Sequence, residues 1–200
     1  MCKQKKEKFL MLLLAFFLSN IIGCSSAVSE KTKYYSLEGI SLVNDSSICG
    51  KNCIKLLIQV DVPDYLDSNG IVYYSDSMDK ITVATKNLWL EELSIQLKNI
   101  LENKINNSIN DYYAFDSRMN IKHDVLLQIF IQKFNGEKDG NVVVSGTYVF
   151  NNQKDTIKQG AFTVTEKQSD NGFDSLVDRL NELWLKECDK LIKELFYNNK

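Results

Sequence analysis

Apolar residues in this chain recur with two different periods, and the switches between them lay out its elements. Ile54, Leu56, Ile58, Val60 and Val62 alternate onto one face, the signature of a strand with that face covered. Pro63 ends that ladder because it has no N–H to donate. A first strand starts at Tyr34-Tyr35-Ser36-Leu37 and is expected over residues 34–43. Residues 71–75 and 80–84 flank Asp76-Ser77-Met78-Asp79, the layout of a β-hairpin. Residues 112–115 read as a short strand or a loop. Residues 121–134 form the longest strand candidate, with Val125, Leu127, Ile129 and Ile131 on one face. Leu126, Gln128, Phe130, Gln132 and Phe134 take the other face. Residues 141–150 and 156–165 follow through tight turns, which predicts an antiparallel meander.

Helical spacing occurs twice. Trp89, Leu93, Leu97, Ile100 or Leu101, and Ile105 share one stripe, with Asn87 as the expected N-cap. Gln96, Lys98, Asn99 and Glu102 fall on other faces. Over residues 174–196, Val177, Leu180, Trp184, Cys188, Leu191 and Leu195 form a second stripe. Both stripes read as core. Two amphipathic helices need a sheet face to bury against. The expected fold class is therefore α+β: a two-layer sandwich, a mostly antiparallel sheet with both long helices on one face.

The first residues follow a different pattern. Lys3, Lys5, Lys6 and Lys8 precede an apolar run from Phe9 to Leu18, which closes on Ile21-Ile22-Gly23-Cys24. Charge, apolar run and small residue make a secretory signal. The run is shorter than the roughly 20 apolar residues that span a bilayer. Its ending resembles the lipobox of bacterial lipoproteins, in which the Cys sulfur takes a diacylglyceryl group and the signal is cut before it. The expected organisation is a signal peptide over 1–23, a lipidated Cys24 with a polar tether over 24–33, and one domain over 34–197. Ser25 after the Cys favours the outer membrane, by the same resemblance.

Composition narrows the function. Four of the 24 basic and one of the 26 acidic residues lie in the signal, leaving 20 against 25 and a formal charge of −5. That balance argues against nucleic acid or an anionic surface as partner. Cys49-Gly50-Lys51-Asn52-Cys53 has the look of a turn clipped by a disulfide, with two free thiols as the alternative. A metal reading lacks ligands, since His123 is the chain's one histidine and lies far along it. Cys188 reads as a buried free thiol. There is no Gly-x-Ser-x-Gly elbow, no Walker loop and no dinucleotide glycine pattern. No enzyme is expected, and no cofactor beyond the covalent lipid.

Several segments, in order, carry a family likeness. They are Tyr34-Tyr35-Ser36-Leu37 behind the lipidated Cys, Val60-Asp61-Val62-Pro63-Asp64-Tyr65-Leu66-Asp67, Ile71-Val72-Tyr73, Asn87-Leu88-Trp89, and Gly146-Thr147-Tyr148-Val149-Phe150. The chain resembles the PqiC-type lipoproteins, the ABC-type transport auxiliary lipoproteins, over nearly its whole mature length. The resemblance implies an outer-membrane lipoprotein facing the periplasm. Such a protein works with an MCE-domain partner that moves lipids or other apolar molecules between membranes, often as a homo-oligomer. It implies no catalytic residue. Tyr65, Leu66, Ile71, Tyr73 and Tyr74 occupy turn and hairpin positions and are the candidate partner-binding residues, with packing on the domain's own core as the other reading. Rival functions are an assembly lipoprotein of another envelope machine, whose domains resemble the N-terminal part of TolB, and a carrier holding an acyl chain between helix and sheet.

Overall fold

The computed structural model describes residues 31–38, 53–75, 80–119, 121–152 and 155–197. Cys24, Cys49 and most of the tether lie outside them. The strands are β1 (Lys33–Tyr35), β2 (Ile54–Asp61), β3 (Gly70–Ser75), β4 (Lys80–Trp89), β5 (Tyr112–Phe115), β6 (Val125–Gly136), β7 (Asn141–Asn152) and β8 (Thr156–Lys167). The helices are α1 (Leu93–Ser108) and α2 (Phe173–Ile192), the second continuing as a π-helical turn over Lys193–Tyr197.

All eight strands join one sheet around β6. One edge of β6 pairs antiparallel with β7 along Val125 to Gly136, and β8 extends the meander. The other edge is shared end to end. β2 runs parallel to Val125–Phe130, and β3 meets β6 at Tyr73↔Gly136. β5 then adds to β2, and β4 and β1 add to β3. The sheet is mixed, and the expectation of a mostly antiparallel sheet is corrected: four of the seven pairings are parallel. The physical reason is connectivity. α1 lies between β4 and β5, and its crossover lets β5 and β6 return in the direction of β2. The antiparallel pairings are confined to the β3–β4 hairpin and the β6–β7–β8 meander.

Both helices cover the same face. Leu56, Ile58, Leu127, Ile129, Val142, Val144, Tyr148 and Phe150 point inward from the sheet and join Leu97, Leu101, Leu180, Leu183 and Trp184 in one buried cluster. Trp184 is fully buried and donates its indole N–H to the Leu97 carbonyl at 3.1 Å, which ties α2 to α1. Cys188 lies in this layer as a free, fully buried thiol.

Three local patterns depart from expectation. The first helix starts at Leu93, not after Asn87, because Asn87, Leu88 and Trp89 pair with Lys33, Tyr34 and Tyr35. Backbone pairing outweighs the helical spacing of Trp89, which is buried as the last residue of β4. Within α1, Gln96 is buried despite its polar position. Its Oε1 accepts the Leu37 N–H at 2.7 Å and its Nε2 donates to the Glu91 carbonyl at 2.8 Å. The third departure is in β6. Its register slips between Ile131 and Lys133, leaving Gln132 as an extra residue. The bulge carries Phe134 to the covered face, where it is 1% exposed, although strict alternation assigns it to the other side.

Gly146 sits opposite Ile131 at this bulge. A Cβ there would stand 2.5 Å from the Phe130 carbonyl oxygen and 2.8 Å from the Phe162 ring. Backbone cannot yield as a flexible side chain does. Gly146→Ala is therefore expected to destabilise the domain by about 1–3 kcal/mol in urea unfolding; an unchanged midpoint would contradict this account of the bulge.

Candidate functional site

The sequence-predicted anchors do not form one surface. Pro63 accepts the N–H groups of Leu66 and Asp67 at 2.8 and 3.1 Å, and this turn folds Leu66 inward. Leu66 is 1% exposed and Ile71 is not exposed at all. Both belong to the core, so their assignment as partner-binding residues is corrected. Both side chains join the buried cluster that the inner sheet face forms with the helices. Tyr65 is half-buried, and its hydroxyl donates to the Gln132 carbonyl at 2.7 Å. Gln132 is the residue left out of the β6–β7 ladder, so Tyr65 pins the bulge.

Tyr73 and Tyr74 remain half-buried on a groove. The groove has a volume of about 290 Å³ and lies between β3, the end of β6 and the first turn of α2. Tyr73 meets Phe173 edge-on, with ring centroids 5.3 Å apart and an interplanar angle of 88°. Gly136 and Leu176 form the floor, and Glu137, Asp139 and Gln168 the rim. Asp139 and Gly140 have φ of 60° and 70°, which makes the tight turn into β7. Lys133 neutralises Glu137 at 2.8 Å.

Beside the groove the start of β1 is latched to α2. The Lys33 ammonium lies 3.2 Å from the Asp174 carboxylate, and Tyr35 donates its hydroxyl to the same group at 2.7 Å. Burial and this hydrogen bond push the Tyr35 phenol up to about 12. Sequence reasoning misses this latch, because its members are about 140 positions apart and each is unremarkable alone. It also reads Asn171-Gly172 only as a helix boundary, whereas Gly172, with φ of 110°, sets Phe173 against Tyr73.

A second charged cluster lies on the far side of α1. Lys98 pairs with Asp116 at 3.0 Å, and Arg118 forms a two-pronged contact with the same carboxylate. Those hydrogen bonds, Arg118 first, hold Asp116 well below the usual carboxylate range. Glu102 fares worse. Its Oε1 is buried with no hydrogen-bond partner, and Lys98 stands 3.8 Å away. Desolvation pushes its carboxyl up to about 7, against the pull of Lys98. Among the described residues, no group of three or more His, Cys, Asp or Glu is placed to hold a metal ion. His123 has an interaction partner, and Cys53 is disulfide-bonded.

Comparison with known proteins places this geometry. The family described as "ABC-type transport auxiliary lipoprotein component" matches residues 50–191. The chain belongs to that family. It is 31% identical over 189 residues to the intermembrane transport lipoprotein PqiC of Escherichia coli (strain K12), covering 94% of this chain and 97% of the relative. The same figures hold for PqiC of Shigella flexneri. Of solved structures, an uncharacterised protein superposes with a TM-score of 0.69 at 29% identity, over 83% of this chain and 99% of its own. A Xanthomonas campestris protein, 12% identical, has a TM-score of 0.64 over 80% and 92% and shares the fold. The protein is thus an auxiliary lipoprotein of a transport system. No helix among the described residues is long and apolar enough to cross a membrane.

Glu102 gives a pH dependence. Its folded pKa is raised above the ordinary 4.5, so its contribution to stability is complete below that value and is lost as pH rises through about 7. Glu102→Gln, which keeps the neutral shape, is expected to match the wild type in urea melts at pH 5 and to exceed it at pH 8. A pH-independent difference would contradict the buried-carboxyl assignment.

Proposed function

We propose that this protein is the lipid-anchored, non-catalytic auxiliary of an intermembrane lipid transport system, held in the outer membrane and facing the periplasm. The observation that carries the reading is likeness along the whole chain to the intermembrane transport lipoprotein PqiC, behind a sequence that ends in Ile21-Ile22-Gly23-Cys24. In this reading Cys24 carries the covalent lipid, and two or three acyl chains hold the domain stably at the bilayer where one would not. Anchoring confines the domain to a thin layer and raises its effective concentration towards an MCE-domain partner that reaches that membrane. Assembly as a homo-oligomer would multiply those contacts. The Cys49–Cys53 disulfide, in this reading, clips the turn before β2.

The packing argues against the carrier alternative. The layer between helices and sheet, where an acyl chain would lie, is filled by fully buried Trp184, Phe134, Phe150, Leu97 and Leu127. The role left is docking and organisation rather than holding cargo inside the domain.

Photoreactive residues at exposed Phe130, Met119 and Tyr197, one per variant in living cells, test the partner. An adduct with an MCE-domain protein from at least one position is the expected result. Reproducible capture of a different envelope assembly from all of them, and never an MCE protein, would overturn the transport reading in favour of an assembly lipoprotein.

A further inference from the structure

The chain enters the domain beside the aromatic groove. Lys33 opens β1 and holds Asp174, and the residue before Asp174 is Phe173, the groove wall opposite Tyr73. Entry point and groove therefore share the first turn of α2. The other end of the molecule is far away. At 1.5 Å per residue, α2 and its extension carry the chain roughly 35 Å from Phe173 to Tyr197.

The length of the tether then decides orientation. Nine peptide steps separate Cys24 from Lys33. Fully extended they reach at most about 30 Å, and as a flexible coil about 17 Å. A globule the size of residues 33–197 has a radius of gyration of about 15 Å and is about 40 Å across. The tether is shorter than the domain is wide, so the far end cannot turn to the bilayer while Cys24 stays in it. The end that bears the groove stays next to the membrane.

That end has the chemistry of a bilayer interface. Tyr73 and Tyr74 each combine an apolar ring with a polar tip, the kind of side chain that settles at the headgroup level. The charged residues that line the groove are Glu137 and Asp139, and Glu137 is paired with Lys133 at 2.8 Å. A lining with acidic but no basic residues gains nothing from anionic lipid, and zwitterionic headgroups suit it better.

We propose that the groove walled by Tyr73, Tyr74 and Phe173 is a membrane-docking surface, seated against the zwitterionic headgroup layer of the bilayer that holds the Cys24 lipid. This assignment rests on the reading of Cys24 as the anchor. It gives Tyr73 and Tyr74 a lipid rather than a protein partner, and leaves the opposite end free to meet the transport machinery.

The test uses the full-length chain purified with its anchor and reconstituted in vesicles of phosphatidylcholine and phosphatidylethanolamine. A photoreactive phenylalanine analogue replaces Tyr74, Tyr73 or, as the distant reference, Tyr197. Each variant is first shown to unfold cooperatively, so that a misfolded one is set aside and the other groove position decides. Intact mass reports the lipid on Cys24. The expected result is a several-fold greater yield of phospholipid adduct from the groove positions than from Tyr197. Equal yields from a lipidated chain would overturn the proposal, and so would groove adducts to a second copy of the protein in place of lipid. An intact mass without lipid would instead sink the anchoring reading, and this one with it.

Discussion

The bulge at Gln132 is the constraint on which the rest of the fold depends. β6 must offer its covered face to two helices along twelve residues while one of its edges is shared by β2 and then β3. A regular strand would carry Phe134 away from the core. The extra residue restores it, Gly146 makes room in β7 for the close approach, and Tyr65 satisfies the carbonyl that the ladder drops. Burying a Phe side chain is favourable by about 1.5–3 kcal/mol, more than the lost ladder bond costs once Tyr65 replaces it. Beyond the bulge, β6 ends where β3 and α2 meet, so the groove is built on the same irregularity.

Much of this architecture was legible in the sequence because period-2 and period-3.6 patterns are local. The strands at Ile54, Val125, Asn141 and Thr156 follow from alternation, and the helical stripes from Leu93 and from Val177 follow from the 3.6 period. Pairing was not legible. Nothing in Lys33-Tyr34-Tyr35 announces a parallel partner at Asn87-Leu88-Trp89, and that pairing shortens the first helix and changes the balance of the sheet. Polar residues that bury themselves through long-range hydrogen bonds escape pattern reading too: Gln96 is solvent-facing by spacing and buried by its bond to Leu37.

The candidate site was legible only in part. Tyr65, Leu66, Ile71, Tyr73 and Tyr74 do cluster along the chain, but the fold sends them to three roles. Leu66 and Ile71 enter the core, Tyr65 supports β6, and Tyr73 and Tyr74 line the groove with Phe173. The other wall of that groove, Phe173, arrives about 100 residues later. The tether was visible as a polar stretch, whereas the latch between Lys33, Tyr35 and Asp174 that fixes where it leaves the domain required the folded chain.

In the proposed reading, anchoring joins sequence, fold and role: a lipid on Cys24 would make the short tether meaningful, turn one end of the domain to the bilayer and restrict its search for a partner to a plane. The most direct test is metabolic labelling of growing cells with a clickable palmitate analogue, comparing wild type with Cys24→Ala and following both through membrane fractionation. The account predicts label on the wild type alone and release of the variant from the membrane fraction. Equal labelling of the two, or an unlabelled wild type that still sediments with membranes, would contradict it.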